Sequence, residues 1–231
     1  MNHKGQHWAV IPSRANSSRF PDKALALLDG ETLIERAINT ALSANGIEKV
    51  VVSTNDKKLI KRLPSSVILH WRMDEYAQAD TKIDDTLLNM VGELTEAVYW
   101  HLIQLTSPFI NAGHIEEGVS LLNSHPEADS VQLVTKISNA NHAFSQRHIS
   151  NRGEMEFCYR EDRDKHYNSQ RKPERYAFAG YIGFRTVSLL KQGSIWGGRS
   201  LPIIGGQECA IDIDSKADLE YAEFIQRRKL R

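Results

Sequence analysis

The chain has 231 residues, long for one domain and short of two comfortable ones. Its 29 basic and 29 acidic side chains cancel, so no global field draws it onto nucleic acid or an anionic lipid surface. No apolar run approaches the roughly 20 residues of a membrane span, and the WAVIP segment is too short for a signal-peptide core. The expectation is a cytoplasmic protein with no nucleic-acid or membrane partner. Cys158 and Cys209 make neither a zinc signature nor a redox pair, and two free thiols are expected.

Trp8 to Pro12 is a short apolar run that reads as a buried first strand. The polar, basic stretch Ser13 to Lys23 follows, and Pro21 rules out a continuing strand. From Thr32 to Ser43 the apolar residues Leu33, Ile34, Ala37, Ile38, Ala41 and Leu42 share one helical face, and Asn45-Gly46 ends that helix. Ile47 to Ser53 is a second buried strand, after which Asn55 is placed to cap a short helix over 56–63. Val67 to His70, Ala97 to Leu105 and Ser130 to Thr135 read as strands. Thr81 to Leu94 and Ala112 to Asn123 read as helices. From Ser138 to Arg175 the pattern weakens into an irregular polar stretch with one apolar patch, Met155 to Tyr159, suited to a hairpin strand. Tyr176 to Phe184 is a strand broken by Gly180 and Gly183. Ile211-Asp-Ile-Asp reads as a strand, and a helix from Ser215 to Arg227 follows, with Asp218 completing a capping-box-like start.

Strands alternating with helices imply parallel strands joined by crossovers, hence an α/β, doubly wound, mostly parallel Rossmann-like sheet. The chain reads as a single domain over 1–231, with 138–175 as an excursion. Ligands of such sheets sit beyond the carboxyl ends of the strands, which directs attention to three loops. The first carries Arg14, Arg19 and Lys23 among small residues, a setting for an anion, although the Walker A spacing is absent. It is equally readable as a solvated basic loop. The second is Gln104-Leu105-Thr106-Ser107-Pro108, at the end of the fourth strand and also readable as a plain turn. The third is Asp212 and Asp214. In a strand, alternation puts both carboxylates on one face, where they repel unless a cation lies between them. Hard oxygen donors of this kind suit Mg²⁺ beside phosphates, or else the acids are simply solvated. The nine histidines show no metal spacing, and His142, His148 and His166 read as solvated or locally hydrogen-bonded.

Together these pieces resemble the acylneuraminate cytidylyltransferase (CMP-sialic acid synthetase) family over about Trp8 to Glu223, with the CMP-Kdo synthetases as a more distant likeness. AVIPSRANSSRFPDKAL is similar to the family's IPARGGSKxxPxKN loop. VVVSTND is similar to VVSTD, with Asn55 where Asp is usual. Arg72 and Asp80-Thr81 fall where the family has RP…SDT. IQLTSPF is similar to LQPTSPL, and IDIDSKADLEYAE to IDIDxxxDLxxAE. The resemblance implies a nucleotidyltransferase moving CMP from CTP to the anomeric hydroxyl of an acidic 2-keto sugar, with release of pyrophosphate. It also implies Mg²⁺ as cofactor and a homodimer formed through the excursion.

By the same resemblance, Arg14, Lys23, Asp212 and Asp214 carry the chemistry. Arg14, Ala15, Asn16, Ser17, Lys23, Arg72 and Asp80 hold the nucleotide. Gln104, Thr106, Ser107 and Gly180 hold the sugar, and Asp212 and Asp214 bind the metal. Arg163 and Arg171 would reach substrate across the dimer. The chain departs from the family at Ala15-Asn16 (Gly-Gly), Ala24 (Asn), Leu105 (Pro), Ile110 (Arg) and Ala179 (Asn). These departures imply a nonulosonate other than N-acetylneuraminate and leave open Kdo, GTP and a non-catalytic nucleotide-binding relative.

Overall fold

The computed structural model describes residues 6–15 and 19–229. The first strand, β1 (His7–Ser13), runs into the basic loop. After it come the two-residue strands β2 (Leu27–Leu28) and β3 (Glu31–Thr32), then helix α1 (Leu33–Ser43). Strand β4 (Lys49–Thr54), the short helix α2 (Lys57–Ile60) and strand β5 (Val67–Trp71) follow. Next are α3 (Ile83–Glu93), β6 (Tyr99–Ile103), α4 (Ala112–Ser124) and β7 (Ser130–Lys136). The excursion holds β8 (Arg147–Ile149), β9 (Met155–Phe157) and α5 (Arg160–Lys165). The chain then returns through β10 (Tyr176–Arg185), α6 (Thr186–Gln192), β11 (Ser200–Ile204) and α7 (Lys216–Lys229).

Seven strands form the central sheet in the order β11-β7-β10-β6-β1-β4-β5. All neighbours are parallel except β10, which runs antiparallel to both β6 and β7. The expected mostly parallel, doubly wound sheet is therefore present, with one reversed strand where the chain comes back from the excursion.

Alternation along the strands builds two apolar layers. Ala9 and Ile11 of β1 face Leu33, Ala37 and Ala41 of α1 and Ile115 and Leu122 of α4. Trp8 and Val10 face the opposite side, against Leu87, Met90 and Val91 of α3 and Leu189 of α6. The helices start where side chains satisfy free backbone donors. Thr32 and Glu35 form a reciprocal capping box at α1, and Ser215 and Asp218 do the same before α7. Among the described residues, no helix is long and apolar enough to cross a membrane. Cys158 and Cys209 are free, the first exposed and the second buried.

Several expectations are corrected. Asn55 does not cap the helix after β4. Asp56 does, accepting from the N–H groups of Lys58 and Leu59, because Asn55 is engaged elsewhere. Residues 211–214 are extended but not a strand: the N–H of Ile213 donates to Thr106 O at 2.8 Å and that of Ile211 to the nearby Glu208 O at 3.1 Å, which makes no ladder. Gly183 does not break β10, since it pairs in register with His101 and Val131. The irregularity lies between Phe178 and Ile182, around Gly180. The excursion contains the apolar patch as β9, the hairpin strand expected from the sequence, paired antiparallel with β8. Helix α6 and strand β11 were unexpected.

A polar chain crosses one of these layers. Asn123 Oδ1 lies 3.2 Å from His7 Nε2, His7 Nδ1 lies 2.8 Å from His101 Nε2, and His101 Nδ1 lies 2.7 Å from the Tyr181 hydroxyl. The tyrosine hydroxyl also lies 3.4 Å from the Ile115 carbonyl, to which it can donate, so every ring nitrogen of the two histidines has a polar partner. Burial is the main cause that lowers His7 from the ordinary value of 6.5 and puts His101 well below it. Unfolding therefore takes up protons once pH drops below that value. The folded state should keep its full stability above about pH 6.5 and lose it as pH falls through the histidine range. Urea denaturation across that range checks this, and a stability that does not fall with acidification would contradict it.

Candidate active site

The basic loop is anchored from the neighbouring strand. Asn55, just beyond β4, accepts from the N–H of Ala15 at 2.8 Å and donates to Asp74 Oδ1 at 3.1 Å. The Ala15 N–H, expected to face an anion, is thus held by a side chain. Asn16 and Ser17 lie outside the described residues. The loop re-enters the site through Asp22, whose φ of 53° is in the left-handed region. Such a backbone costs a non-glycine residue about 1–3 kcal/mol unless its surroundings hold it. Here both Asp22 carboxylate oxygens accept from Lys58 Nζ at 3.0 Å, and the turn delivers Lys23.

Lys23 is the point where the chain's two ends of chemistry meet. Its Nζ donates to Asp214 Oδ1 at 2.7 Å across 191 residues of sequence. Arg19 takes the other carboxylate oxygen at 2.8 Å. The Lys23 side chain is only 15% exposed, against 74% for Arg19. Asp214 therefore balances two cations, leaving one positive charge in the trio.

Beside this trio lies a cavity of about 180 Å³ lined by Ser13, Arg14, Arg19, Asp22, Lys23 and Thr106, among others. It opens at the carboxyl ends of β1, β4 and β6, where an open α/β sheet places its ligand. Asp56 also lines it. Arg72, 5% exposed and not part of the cavity wall, is close enough to Arg14 to feel its charge. Desolvation, and then the nearby Arg14, lower its pKa to about 10, so it stays charged at neutral pH. Among the described residues no carboxylate pairs with Arg72. A buried guanidinium without a counter-ion favours an anionic or strongly accepting ligand.

A second cluster forms at the end of β6. The Gln104 N–H donates to Gly180 O at 2.9 Å. Gly180 has φ +80°, and a Cβ there would lie 1.9 Å from Ser107 Oγ and 3.5 Å from Gln104 Oε1. The backbone of β10 thus comes right up to the two side chains expected to touch a sugar. Thr106 is half-buried, lines the cavity and holds Ile213 through its carbonyl.

The remaining candidates are more scattered. Asp212 is exposed and, among the described residues, has no ion-pair partner. Asp80 lies in a separate hollow with Glu75 and Tyr76, not in the cavity. Arg163 and Arg171 lie in the excursion, over the rings of Phe157 and Tyr167 at 5.6 and 5.8 Å. Among the described residues no group of three His, Cys, Asp or Glu side chains could hold a metal. Of the two carboxylates expected to hold Mg²⁺, Asp214 is paired with Lys23 and Arg19, Asp212 is exposed, and neither lines the cavity; as hard oxygen donors they suit a cation whose other ligands are water and substrate oxygens. The sequence missed Asp22 and Asp56 as lining residues. Asp56 carried a signal in its position at a strand end one residue before a helix, where an N-cap is expected.

The family profile described as "Cytidylyltransferase" matches residues 8–223. The 3-deoxy-manno-octulosonate cytidylyltransferase of Chlamydia trachomatis serovar A is 30% identical over 138 residues, 56% of this chain and 50% of that protein. The N-acylneuraminate cytidylyltransferase of Escherichia coli O18:K1:H7 is 26% identical over 226 residues, 96% of this chain and 52% of that protein. The chain thus spans about half the length of the curated relatives it matches. Among solved structures, a CMP:2-keto-3-deoxy-manno-octonic acid synthetase complexed with CTP superposes with a TM-score of 0.71 at 18% identity, covering 97% of this chain and 99% of that one. The 4-diphosphocytidyl-2C-methyl-D-erythritol synthase of Anaerococcus prevotii superposes with a TM-score of 0.69 at 12% identity, covering 98% of both chains. At these identities the two structures establish the fold alone.

Gly180→Ala should cost about 1–3 kcal/mol of stability, since it strains a positive φ and drives a methyl into Ser107. Thermal denaturation of the variant checks this, and an unchanged midpoint would mean that β10 can move away from the Gln104 turn freely.

Proposed function

This chain belongs to the cytidylyltransferase family, and we propose that it transfers a cytidylyl group from CTP to the anomeric hydroxyl of an acidic 2-keto sugar. The observation that carries the reading is the cavity: Arg14, Arg19 and Lys23 converge beyond the sheet, with the buried charge of Arg72 close to Arg14. A triphosphate is the ligand whose charge such a site answers.

The reaction is an in-line displacement. The sugar hydroxyl oxygen forms a bond to the α-phosphorus as the bond to the bridging oxygen breaks, pyrophosphate leaves with its electron pair, and the hydroxyl proton passes to the carboxylate of Asp212 or Asp214 and on to solvent. Such chemistry depends on positioning and charge neutralisation more than on covalent catalysis. Arg14 and Lys23 hold the β- and γ-phosphates as charge moves onto them, and Arg72 faces the nucleotide from the sheet side. Gln104, Thr106, Ser107 and the backbone at Gly180 orient the sugar. Asp212 and Asp214 would hold Mg²⁺, which supplies neutralisation of the α-phosphate charge when bound. In the arrangement described above, Asp214 is committed to Lys23 and Arg19. An arriving triphosphate competes for those cations and leaves the carboxylate available.

Two sugars are in view. The matches to N-acylneuraminate enzymes, which cover 96% and 93% of this chain and about half of each relative, favour a nonulosonate, and the 30% matches, which cover 56% of this chain, favour Kdo. The excursion over 138–175 is proposed as the dimer contact: its hairpin presents Ile149 and Met155, 71% and 65% exposed, side by side.

Lys23→Ala should weaken CTP binding by roughly tenfold or more, the loss expected for a charge-assisted contact in a partly buried site. Calorimetric titration with CTP measures this, and an unchanged affinity would remove Lys23 from the phosphate site. Asp212→Asn should leave the thermal midpoint in place and lower turnover by roughly a hundredfold. Near-normal turnover would remove Asp212 from the metal site.

A further inference from the structure

Ser53 and His70 stand directly opposite each other in the parallel pair β4–β5, so their side chains leave the sheet on the same face. Both are buried, at 0% and 3% exposure. Ser53 Oγ lies 3.0 Å from His70 Nδ1. Arg72 Nε donates to the same oxygen at 3.3 Å, and Arg72 Nη2 donates to the Ser53 carbonyl at 3.1 Å. The other ring nitrogen, His70 Nε2, is buried and among the described residues has no hydrogen-bond partner, lying 3.5 Å from Glu93 Oε2 at the end of α3.

A guanidinium only donates, so Ser53 Oγ accepts from Arg72. Among the described residues His70 Nδ1 is the one acceptor in reach of the Ser53 hydroxyl proton. With the hydroxyl donating there, Nδ1 is unprotonated and the ring carries its proton on Nε2, toward Glu93. We propose that Ser53 and a neutral His70 are positioning residues that aim Arg72 at the nucleotide, so that nucleotide affinity depends on His70 being uncharged. The proposal rests on the reading above that Arg72 faces the nucleotide.

The charged groups facing His70 are Glu93 from α3 and Arg72 from the end of its own strand, and Arg14 from the loop after β1 faces Arg72 in turn. Protonation of Nδ1 would make His70 a second donor to Ser53 Oγ, leave the hydroxyl proton without its acceptor, and set another positive charge beside Arg72. Burial, with a smaller contribution from Arg72, lowers the imidazole from its ordinary value of 6.5 against the opposing pull of Glu93. The neutral form therefore prevails at neutral pH and gives way as pH falls through and below that value.

CTP binding, measured by calorimetry between about pH 5 and about pH 8, tests this with wild type, Ser53→Ala and His70→Asn. Asparagine presents an acceptor oxygen near the Nδ1 position and does not titrate. The ligand's own phosphate titration cancels in the ratio of variant to wild type. The ratio of His70→Asn affinity to wild-type affinity should rise several-fold on acidification below about pH 6.5, because only the wild type loses its acceptor. Ser53→Ala should bind CTP roughly tenfold more weakly throughout the range. A His70→Asn ratio that stays constant across the range would overturn the proposal, as would a folded Ser53→Ala that binds CTP as tightly as wild type. If one variant fails to fold, the other remains decisive. Wild type that does not bind CTP at all would overturn the nucleotide reading and the proposal together, and the wild-type titration alone identifies that case.

Discussion

The ion pair between Lys23 and Asp214 holds the site in one piece. One partner follows the first loop and the other precedes the last helix, 191 residues away, so the pair closes the sheet's carboxyl edge from both ends of the fold. Lys23 is largely withdrawn from water, where a lone ammonium would be costly and a carboxylate at 2.7 Å offsets that cost. Arg19 shares the same carboxylate, which leaves an excess of positive charge next to the cavity. Acidic neighbours at Asp22 and Asp56 keep this from being a uniformly cationic surface. Asp22 is itself tied to Lys58, and Asp56 is turned to the start of α2. The field left over points at the cavity, and that is the basis for reading it as a triphosphate site.

Around this pair the scaffold uses side chains where backbone alone would be too free. Asn55 clamps Ala15 and reaches Asp74, so the backbone at the start of the basic loop is held by an amide from beyond the neighbouring strand. Gly180 works the opposite way, removing a side chain so that β10 can approach Ser107 and Gln104. Arg72 is rigid because it is buried and doubly bonded to Ser53, and among the described residues its charge has no internal counter-ion. A rigid, uncompensated cation suits recognition of a ligand that arrives with the missing negative charge.

Much of the fold was legible because the signals were periodic. The face formed by Leu33, Ile34, Ala37, Ile38 and Ala41 specifies α1, and all five are buried. The runs in β1 and β4 are continuously apolar because both faces of the sheet are covered. The reversal of β10 was not legible, since strand direction depends on how the excursion returns rather than on local pattern. Ile211-Asp-Ile-Asp has the alternation of a strand, yet among the described residues its long-range backbone contact is the one from Ile213 to Thr106, beside a local bond from Ile211 to Glu208. Its alternation still puts Ile213 in the core and both aspartates outward. Within the site, Arg14, Lys23, Thr106 and Asp214 are brought together as the motifs implied, whereas Asp80 is in a different hollow. The Ser53–His70–Arg72 contact could not be read from sequence, because it depends on the register between β4 and β5.

The central claim is that this cavity holds CTP while an acidic 2-keto sugar attacks its α-phosphorus. Pyrophosphate release, followed with Mg²⁺ and with CTP or GTP against a panel of nonulosonic acids and Kdo, tests it most directly. The account predicts release that requires CTP and one of these acids together. Release driven by a sugar 1-phosphate instead, or none from folded protein across the whole panel, would contradict it.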